Sequence, residues 1–244
     1  MKHAYLIMAH NEVKILELLL RKLDHPDNTL YLHCDTKFDC CTDSLRAVVK
    51  HSDLRLIKRR DVQWGKYSQI RCELELLKEA IKGEHDYYHL ITGVCLPLKS
   101  NEEIDAFFEE HKGTEFISYD KHANETRNFT QRFDKWYFRL NVAKSGPLRE
   151  TLTRVCNVPL AVLEKAANTL AGNRSRKYPE LTFMKGSSYF DITHGLAAYI
   201  VEKEPEIKKI FCFSNCCDEV FLHTFAYHSP FAKNLAFHGT RYID

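Results

Sequence analysis

Residues 4–33 read AYLIMAHNEVKILELLLRKLDHPDNTLYLH, and this stretch decides the fold. Ala4–Met8 is short, apolar and aromatic, which predicts a buried strand. Val13–Leu23 repeats isoleucine and leucine every three or four residues, which predicts a helix with one apolar face. Thr29–His33 predicts a second strand. A strand, a helix and a strand within about 30 residues are typical of a parallel β-α-β crossover.

The alternation of strands and helices continues along the chain. Further strands are predicted at 54–57, 87–91, 115–118 and 189–193, and helices at 68–81, 101–111, 195–203 and 218–227. Residues 121–180 are instead polar and aromatic before a predicted helix at 149–170. This insertion either covers an edge of the sheet or lines a binding site. We predict one α/β domain over residues 1–244, with a Rossmann-like, mostly parallel sheet flanked by helices.

Composition and charge narrow the class of protein. The chain has 35 Lys and Arg against 33 Asp and Glu, so its balance gives no reason to expect a nucleic-acid partner. The longest apolar run, Ala4–Ala9, is far shorter than the roughly 20 residues of a membrane-spanning helix. With no signal-peptide pattern either, the sequence predicts a cytoplasmic protein. The nine cysteines include no C-x-x-C pair, which favours reduced thiols over a zinc site.

Several nucleotide-binding and catalytic motifs are missing. The sequence has no G-x-G-x-x-G, no G-x-x-x-x-G-K-[ST] and no G-x-S-x-G, which disfavours dinucleotide-binding, P-loop and α/β-hydrolase functions. It also has no Asp-x-Asp, the pair with which metal-dependent sugar-nucleotide enzymes hold a divalent ion. An α/β protein that handles a nucleotide without these devices is expected to place Lys or Arg at the phosphates. The absence of Asp-x-Asp thus gives no support for a metal-dependent enzyme of that kind.

Several segments, in order, carry a resemblance to one family. They are AYLIMAHN (4–11), YLHCDTK (31–37), VQWGKYS (62–68), YHLITGVCLPLKSN (88–101) and KGSSYFDIT (185–193), followed by Asp218 and Glu219. Together they resemble the core-2/I-branching β-1,6-N-acetylglucosaminyltransferases in their compact bacterial form. The resemblance implies a GT-A-like fold and an inverting, metal-independent transfer from a UDP-sugar, usually UDP-N-acetylglucosamine, to a hydroxyl of a glycan acceptor.

The resemblance assigns the catalytic base to Glu219. Inversion by direct displacement needs one base to take the proton of the acceptor hydroxyl. In the family that base is the Glu of an Asp-Glu pair opening a helix, which matches Asp218 and Glu219. Acids in a first helical turn also stabilise the helix dipole, so the alternative is that the pair only caps the helix. Asp218 is taken as the cap and orienting residue.

Four residues are candidates for binding the nucleotide sugar. His10 and Asp35 follow the first two predicted strands, where an α/β sheet binds ligands, and the resemblance places them near the uracil and the nucleoside. The alternatives are a loop histidine and a turn aspartate without a binding role. Trp64 and Tyr67 are candidates to pack beside the nucleotide, or else they are core aromatics.

Five residues are candidates for the acceptor site, again by resemblance. They are Glu125, Arg132, Lys135, Ser187 and Tyr189. The basic pair is three residues apart, as in the family, with an acid upstream whose offset is imperfect. The alternatives are a solvated helix face for the charged residues and an ordinary strand for Ser187 and Tyr189.

The sequence departs from the family pattern in two places. Cys95 stands where the family commonly has Asp, and Thr92 replaces a Ser. The chain also stops at Asp244, before the segment whose Arg and Lys neutralise the leaving diphosphate in the family, and Lys233 and Arg241 do not match those roles. The second hypothesis is therefore a truncated, glycosyltransferase-like protein that binds nucleotide or glycan without turnover. Peripheral association with the membrane where glycans are assembled is a further expectation.

Overall fold

The strands form one mixed sheet. A computed structural model describes residues 1–140, 147–170 and 172–242. Within these residues the strands are β1 His3–Ala9, β2 Asn28–Cys34, β3 Asp53–Leu56, β4 Tyr87–Thr92, β5 Glu115–Ile117, β6 Phe190–Thr193 and β7 Leu235–Ala236. Their spatial order is β3-β2-β1-β4-β6-β5-β7. The apolar run that the sequence singled out as β1 is thus an inner strand.

The sheet is parallel except around one strand. β1 runs parallel to β2 and β4, and β2 runs parallel to β3. β6 lies between β4 and β5 and is antiparallel to both, while β5 is parallel to β7. The predicted mostly parallel sheet is confirmed. Because β1, β2 and β4 share a direction, their carboxyl ends meet at one edge of the sheet.

Helices cover both faces of the sheet. They are α1 Val13–Lys22, α2 Thr42–Val48, α3 Tyr67–Ala80, α4 Asn101–Glu110, α5 Lys121–Thr126, α6 Gln131–Asp134, α7 Pro147–Leu170, α8 His194–Glu202, α9 Glu204–Phe211 and α10 Phe221–Tyr227. Alternate residues of β1 point to opposite faces, as a strand requires. Ala4 and Leu6 pack with α3, α8, α9 and α10, whereas Tyr5 and Ile7 pack with α1. The predicted flanking helices are confirmed.

Three details differ from the expectations. The predicted helix at 218–227 begins only at Phe221, with Val220 at its N-cap, so Asp218 is not the cap. The short helices α2, α5, α6 and α9 are absent from the elements predicted by the sequence pattern. The predicted strand at 189–193 forms as β6 at Phe190–Thr193, but it runs antiparallel to β4.

A chain of polar side chains, most of them buried, crosses the sheet from α4 to the end of the described residues. Asp105 Oδ1 lies 2.9 Å from His3 Nε2, and His3 Nδ1 lies 2.8 Å from His89 Nε2. His89 Nδ1 lies 2.7 Å from Asp191 Oδ1, and Arg241 donates to both oxygens of Asp191. Burial alone would raise the pKa of Asp191, but Arg241 and the His89 hydrogen bond outweigh it and hold that pKa below its usual value.

We expect Asp191→Ala to lower the free energy of unfolding by about 3–5 kcal/mol, because it removes a fully buried carboxylate and leaves the largely buried Arg241 without its counterion. Urea unfolding measures this loss, and Asp191→Ala combined with Arg241→Met should recover part of it. The control is Asp53→Ala, which breaks the exposed pair with Arg55 and should cost less than about 1 kcal/mol. Equal losses in the two single variants would contradict the prediction.

Candidate active site

Asp35 ties together the carboxyl ends of β1 and β2. Its side chain is 2% exposed. Oδ1 accepts from the Lys37 amide at 2.8 Å, and Oδ2 accepts from the Val62 amide at 2.9 Å. Its own amide donates to the Ala9 carbonyl, and Lys37 Nζ lies 3.3 Å from Oδ2. Asp35 therefore sits at the carboxyl edge of the parallel strands, where α/β sheets generally bind ligands, and fixes the loop that follows β3.

The other candidates for nucleotide binding lie at the same edge. His10 directly follows β1 and is exposed. Trp64 lies in the loop before α3 and is 78% exposed, so it is not a core residue. Tyr67, the first residue of α3, packs against the larger core cluster, and burial raises its pKa to about 12. Of the two aromatic residues, only Tyr67 fits the core alternative.

Glu219 lies in the turn before α10 and faces two cations. Arg132 Nη1 donates to Glu219 Oε2 at 2.7 Å, and Lys185 Nζ lies 3.3 Å from the same oxygen. Arg132 also donates to the carbonyl of Cys216 at 3.0 Å. Within the described residues Glu219 Oε1 makes no hydrogen bond, and the side chain is about one-third exposed. One carboxylate oxygen is thus held in place while the other remains open.

The cations around Glu219 belong to a row of alternating charges. Lys185 Nζ also donates to Asp120 Oδ2 at 2.9 Å, so the order is Asp120, Lys185, Glu219, Arg132. Burial would lower the pKa of Arg132, but its hydrogen bond to Glu219 and the charge of that carboxylate raise it overall. The structure brings Arg132, a predicted acceptor residue, directly onto the predicted base.

Asp120 and Lys185 were missed as site residues. Asp120 follows β5 and also caps α5, because its side chain accepts from the Ala123 amide. The position of Asp120 shortly after β5 was the signal in the sequence that could have identified it. Lys185 lies beside Asp120 only because β6 pairs antiparallel with β5. Glu125, the acid chosen from the sequence, is exposed on α5 and lies 3.9 Å from Lys121 instead. Within the described residues neither Glu125 nor the exposed Lys135 contacts Glu219.

Ser187 and Tyr189 lie on the stretch that links Lys185 to β6. The Ser187 amide donates to Ser118 Oγ, and the Tyr189 amide donates to Ser187 Oγ at 3.3 Å. A cavity of about 90 Å³ opens here, lined in part by Ser187, Tyr189 and Arg241. Burial raises the pKa of Tyr189, whose phenol is within hydrogen-bonding distance of the side chains of Thr92 and Cys95.

Gly186 is required by close packing beside Glu219. A Cβ at this position would lie 2.1 Å from the Ser118 carbonyl oxygen and 2.3 Å from His223 Nε2. The Gly186 amide also donates to the carbonyl of Glu219 at 3.1 Å. The backbone at Gly186 therefore holds the Glu219 turn against the end of β5.

Two acids lie behind the Glu219 turn. Gln69 Nε2 donates to Asp218 Oδ2 at 2.7 Å. Burial, and then the charge of Glu219, raises the pKa of Asp218 to about 6. Glu73, one turn further along α3, is fully buried, and burial together with the charge of Asp218 raises its pKa well above the ordinary value. Asp218 is therefore held by Gln69 of α3 and does not cap a helix.

The basic residues near the end of the described chain are not at this cluster. Arg241 is bound to Asp191, and Lys233 is exposed on a short 3₁₀ turn at Ala232–Asn234. In the part of the chain that the structure describes, no three His, Cys, Asp or Glu side chains stand close enough to hold a metal ion.

Comparison with known proteins identifies the family. A model of the Core-2/I-branching enzyme family matches residues 3–244. The chain belongs to the Core-2/I-branching enzyme family. The GT-A-like fold that the resemblance implies is consistent with the mostly parallel sheet and its flanking helices.

Curated relatives of this Core-2/I-branching chain are glycosyltransferases by name. Xylosyltransferase 2 of Rattus norvegicus is 22% identical over 98% of the chain. The β-1,3-galactosyl-O-glycosyl-glycoprotein β-1,6-N-acetylglucosaminyltransferase of Homo sapiens is 24% identical over 85% of it. The chain spans 26% of the length of the first relative and 43% of the second.

Solved structures give weaker likenesses. Core-mannan synthase A of Aspergillus fumigatus has a TM-score of 0.42 and 9% identity, covering 96% of this chain and 72% of its own. TarS of S. aureus, residues 1–349 with UDP, has a TM-score of 0.36 and 16% identity, covering 65% of this chain and 49% of its own.

Asp218→Asn should stabilise the fold at neutral pH. Because the folded-state pKa is raised to about 6, the Asp218 carboxyl contributes stability at low pH that is lost as the pH rises through 6. The variant removes that loss, so we expect a gain of about 3 kcal/mol in unfolding free energy at pH 8, vanishing toward pH 4. Urea unfolding across this range measures it.

The control for this measurement is Glu180→Gln, which changes an exposed acid in a turn and should give a small difference that does not depend on pH. A difference for Asp218→Asn that is the same at pH 4 and pH 8 would show that Asp218 has an ordinary pKa.

Proposed function

We propose that this member of the Core-2/I-branching family is an inverting, metal-independent glycosyltransferase. In this proposal it transfers N-acetylglucosamine from a UDP-sugar to a glycan hydroxyl in a β-1,6 linkage. The observation that carries it is the arrangement of Glu219. Arg132 and Lys185 hold Oε2, and Oε1 is left open to accept the proton of an incoming hydroxyl.

The chemistry assigns a role to each charged residue at this end of the site. Glu219 takes the hydroxyl proton as the acceptor oxygen attacks the anomeric carbon. Arg132 and Lys185 keep the carboxylate in one orientation and bring their own donors to the acceptor sugar. Direct displacement puts the leaving diphosphate on the opposite side of that carbon, so these cations do not neutralise it. Asp120 in turn orients Lys185.

The donor is proposed to lie at the carboxyl ends of β1 and β2. Residues 1–120 would then form the nucleotide-sugar half, and residues 121–244 the acceptor and catalytic half. His10 and Trp64 are exposed there, and Asp35 and Tyr67 hold the surrounding loops in place. Ser187 and Tyr189 line the neighbouring cavity on the acceptor side. Glu125 and Lys135 remain acceptor candidates that only substrate binding would test.

The compartment is proposed from the cysteines. All nine lie in the described part of the chain, and none forms a disulfide, which suits a reducing environment such as the cytoplasm. Among the described residues, no helix is both long and apolar enough to cross a membrane.

A second candidate is a nucleotide- or glycan-binding protein without turnover. Arg241 favours it, because this cation is engaged by Asp191 rather than free for a diphosphate. Both candidate functions include binding of a UDP-sugar, but only the glycosyltransferase transfers the sugar and releases UDP. Incubation with UDP-N-acetylglucosamine, UDP-xylose and other UDP-sugars, with sugar acceptors, separates them. UDP binding with no UDP release from any donor would support the second candidate.

Glu219→Gln should lower kcat by about 10²–10⁴-fold while UDP binds as before, since the amide keeps the shape but cannot accept the proton. Release of UDP measures turnover, and titration calorimetry measures UDP binding. Glu180→Gln, an exposed acid elsewhere, serves as the matched control. Full turnover in Glu219→Gln would overturn the assignment of the base.

Chelation tests the metal independence. Activity in EDTA should stay within about twofold of its value with added Mg²⁺ or Mn²⁺, because the proposal places no step on a metal ion. The same UDP-release measurement applies. Loss of activity in EDTA that returns with Mn²⁺ would overturn this part of the proposal and leave the role of Glu219 to its own test.

A further inference from the structure

Helix α7 carries an exposed apolar face. Seven of its leucine and valine side chains are between 56% and 85% exposed, namely Leu148, Leu152, Val155, Val158, Val162, Leu163 and Leu170. Most of these residues follow one another at intervals of three or four, so they form one stripe along the helix. With 24 residues, the helix is about 36 Å long. A stripe of this length is more than the scattered apolar residues of an ordinary surface.

The opposite face of α7 is attached to the rest of the protein. Asn168 Oδ1 accepts from the Trp136 amide at 2.7 Å, and Asn157 Oδ1 accepts from the Leu140 amide at 2.8 Å. Glu164 is buried and pairs with Arg139 at 2.8 Å. These contacts fix the rotation of α7 about its axis. The apolar stripe is therefore directed away from the domain.

The exposed charged side chains beside the apolar stripe of α7 are positive. The helix contains two acids, of which Glu164 is buried and Glu150 is half-buried. Arg154 and Lys165 are exposed and lie on the same flank of the stripe. The basic run RSRK follows at 174–177 in the sequence. An apolar face with a basic margin and no exposed acid is the pattern of a helix that lies in the surface of an anionic bilayer.

The same charges disfavour a second copy of the chain as the occupant. In a two-fold antiparallel pairing of α7 centred near Pro159, Arg154 of one copy would lie opposite Lys165 of the other. Like charges in such positions repel each other, and α7 offers no exposed acid to compensate them. An anionic lipid headgroup instead attracts both residues.

We propose that the apolar face of α7 docks on the surface of an anionic lipid bilayer, with Arg154 and Lys165 at the headgroups. The docking is peripheral, because α7 stays bound to the domain through Arg139 and the backbone of Trp136. The same segment reaches back to Arg132 at Glu219. The site would thus be carried close to the membrane surface, whether or not the proposed reaction is correct.

Sedimentation with vesicles tests the docking on the full chain. We expect at least about tenfold tighter partition into phosphatidylcholine vesicles that contain about 30% phosphatidylglycerol than into phosphatidylcholine alone. The combined change Leu152→Gln, Val155→Gln and Val162→Gln should abolish the partition, and Arg154→Gln with Lys165→Gln should remove the preference for anionic lipid. Leu98→Gln, an exposed apolar residue elsewhere, is the matched control and should bind as before.

Two further measurements show whether α7 itself enters the bilayer and whether each variant is folded. Leu163→Trp should shift its fluorescence to shorter wavelength when anionic vesicles are added, which reports insertion of this helix itself. Circular dichroism and unfolding midpoints confirm that each variant is folded. Equal partition into both vesicles, no partition at all, or a dimer in sedimentation velocity that the three Gln substitutions dissociate would each overturn the proposal.

Discussion

The buried carboxylate of Asp191 is the constraint on which the end of the sheet beside the candidate site depends. Among the strands of the described residues, β6 alone is antiparallel to both of its neighbours, and Asp191 lies opposite His89 in β4 and Phe116 in β5. A slip of one residue would turn this carboxylate toward the apolar face and leave Arg241 without its counterion. Because the register of β6 is fixed in this way, the residues just before it, Lys185 to Tyr189, are held against Ser118 and the Glu219 turn.

The electrostatics around Glu219 combine two opposing influences. Arg132 and Lys185 attract the Glu219 carboxylate on one side, and Asp218, the preceding residue, repels it on the other. Gln69 holds Asp218 in position, and Glu73 adds a second buried acid at the same place. Under the proposed function, this arrangement fixes where the Glu219 carboxylate points and leaves one of its oxygens for the acceptor. The acids behind the turn make the stability of this region depend on pH near 6.

The sequence predicts the structure correctly where the local pattern of residues alone determines where a segment lies in the fold. The apolar runs of β1, β2 and β4 predicted that these strands are buried, and the position of Asp35 directly after β2 predicted that it lies at the carboxyl edge of the sheet. The sequence does not predict contacts between residues that only a distant strand or helix brings together. Lys185 meets Asp120 only because β6 enters between β4 and β5, and nothing local to either residue signals that. Two acids in sequence at 218–219 are typical of a helix N-terminus. In the structure, however, Asp218 accepts a hydrogen bond from Gln69, and α10 begins only at Phe221.

The two halves of the candidate site are mechanically joined at Gly65. Its backbone has a φ of 70°, which favours glycine, and a Cβ there would lie 2.8 Å from Cys216 Sγ. The Gly65 carbonyl accepts from the Cys216 amide at 2.7 Å, and its amide donates to Gln69, which also holds Asp218. The loop that presents Trp64 therefore shares hydrogen bonds with the turn that carries Glu219. Under the proposed function, a movement of the Trp64 loop on donor binding would be transmitted to the Glu219 turn through the hydrogen bonds of Gly65 and Gln69.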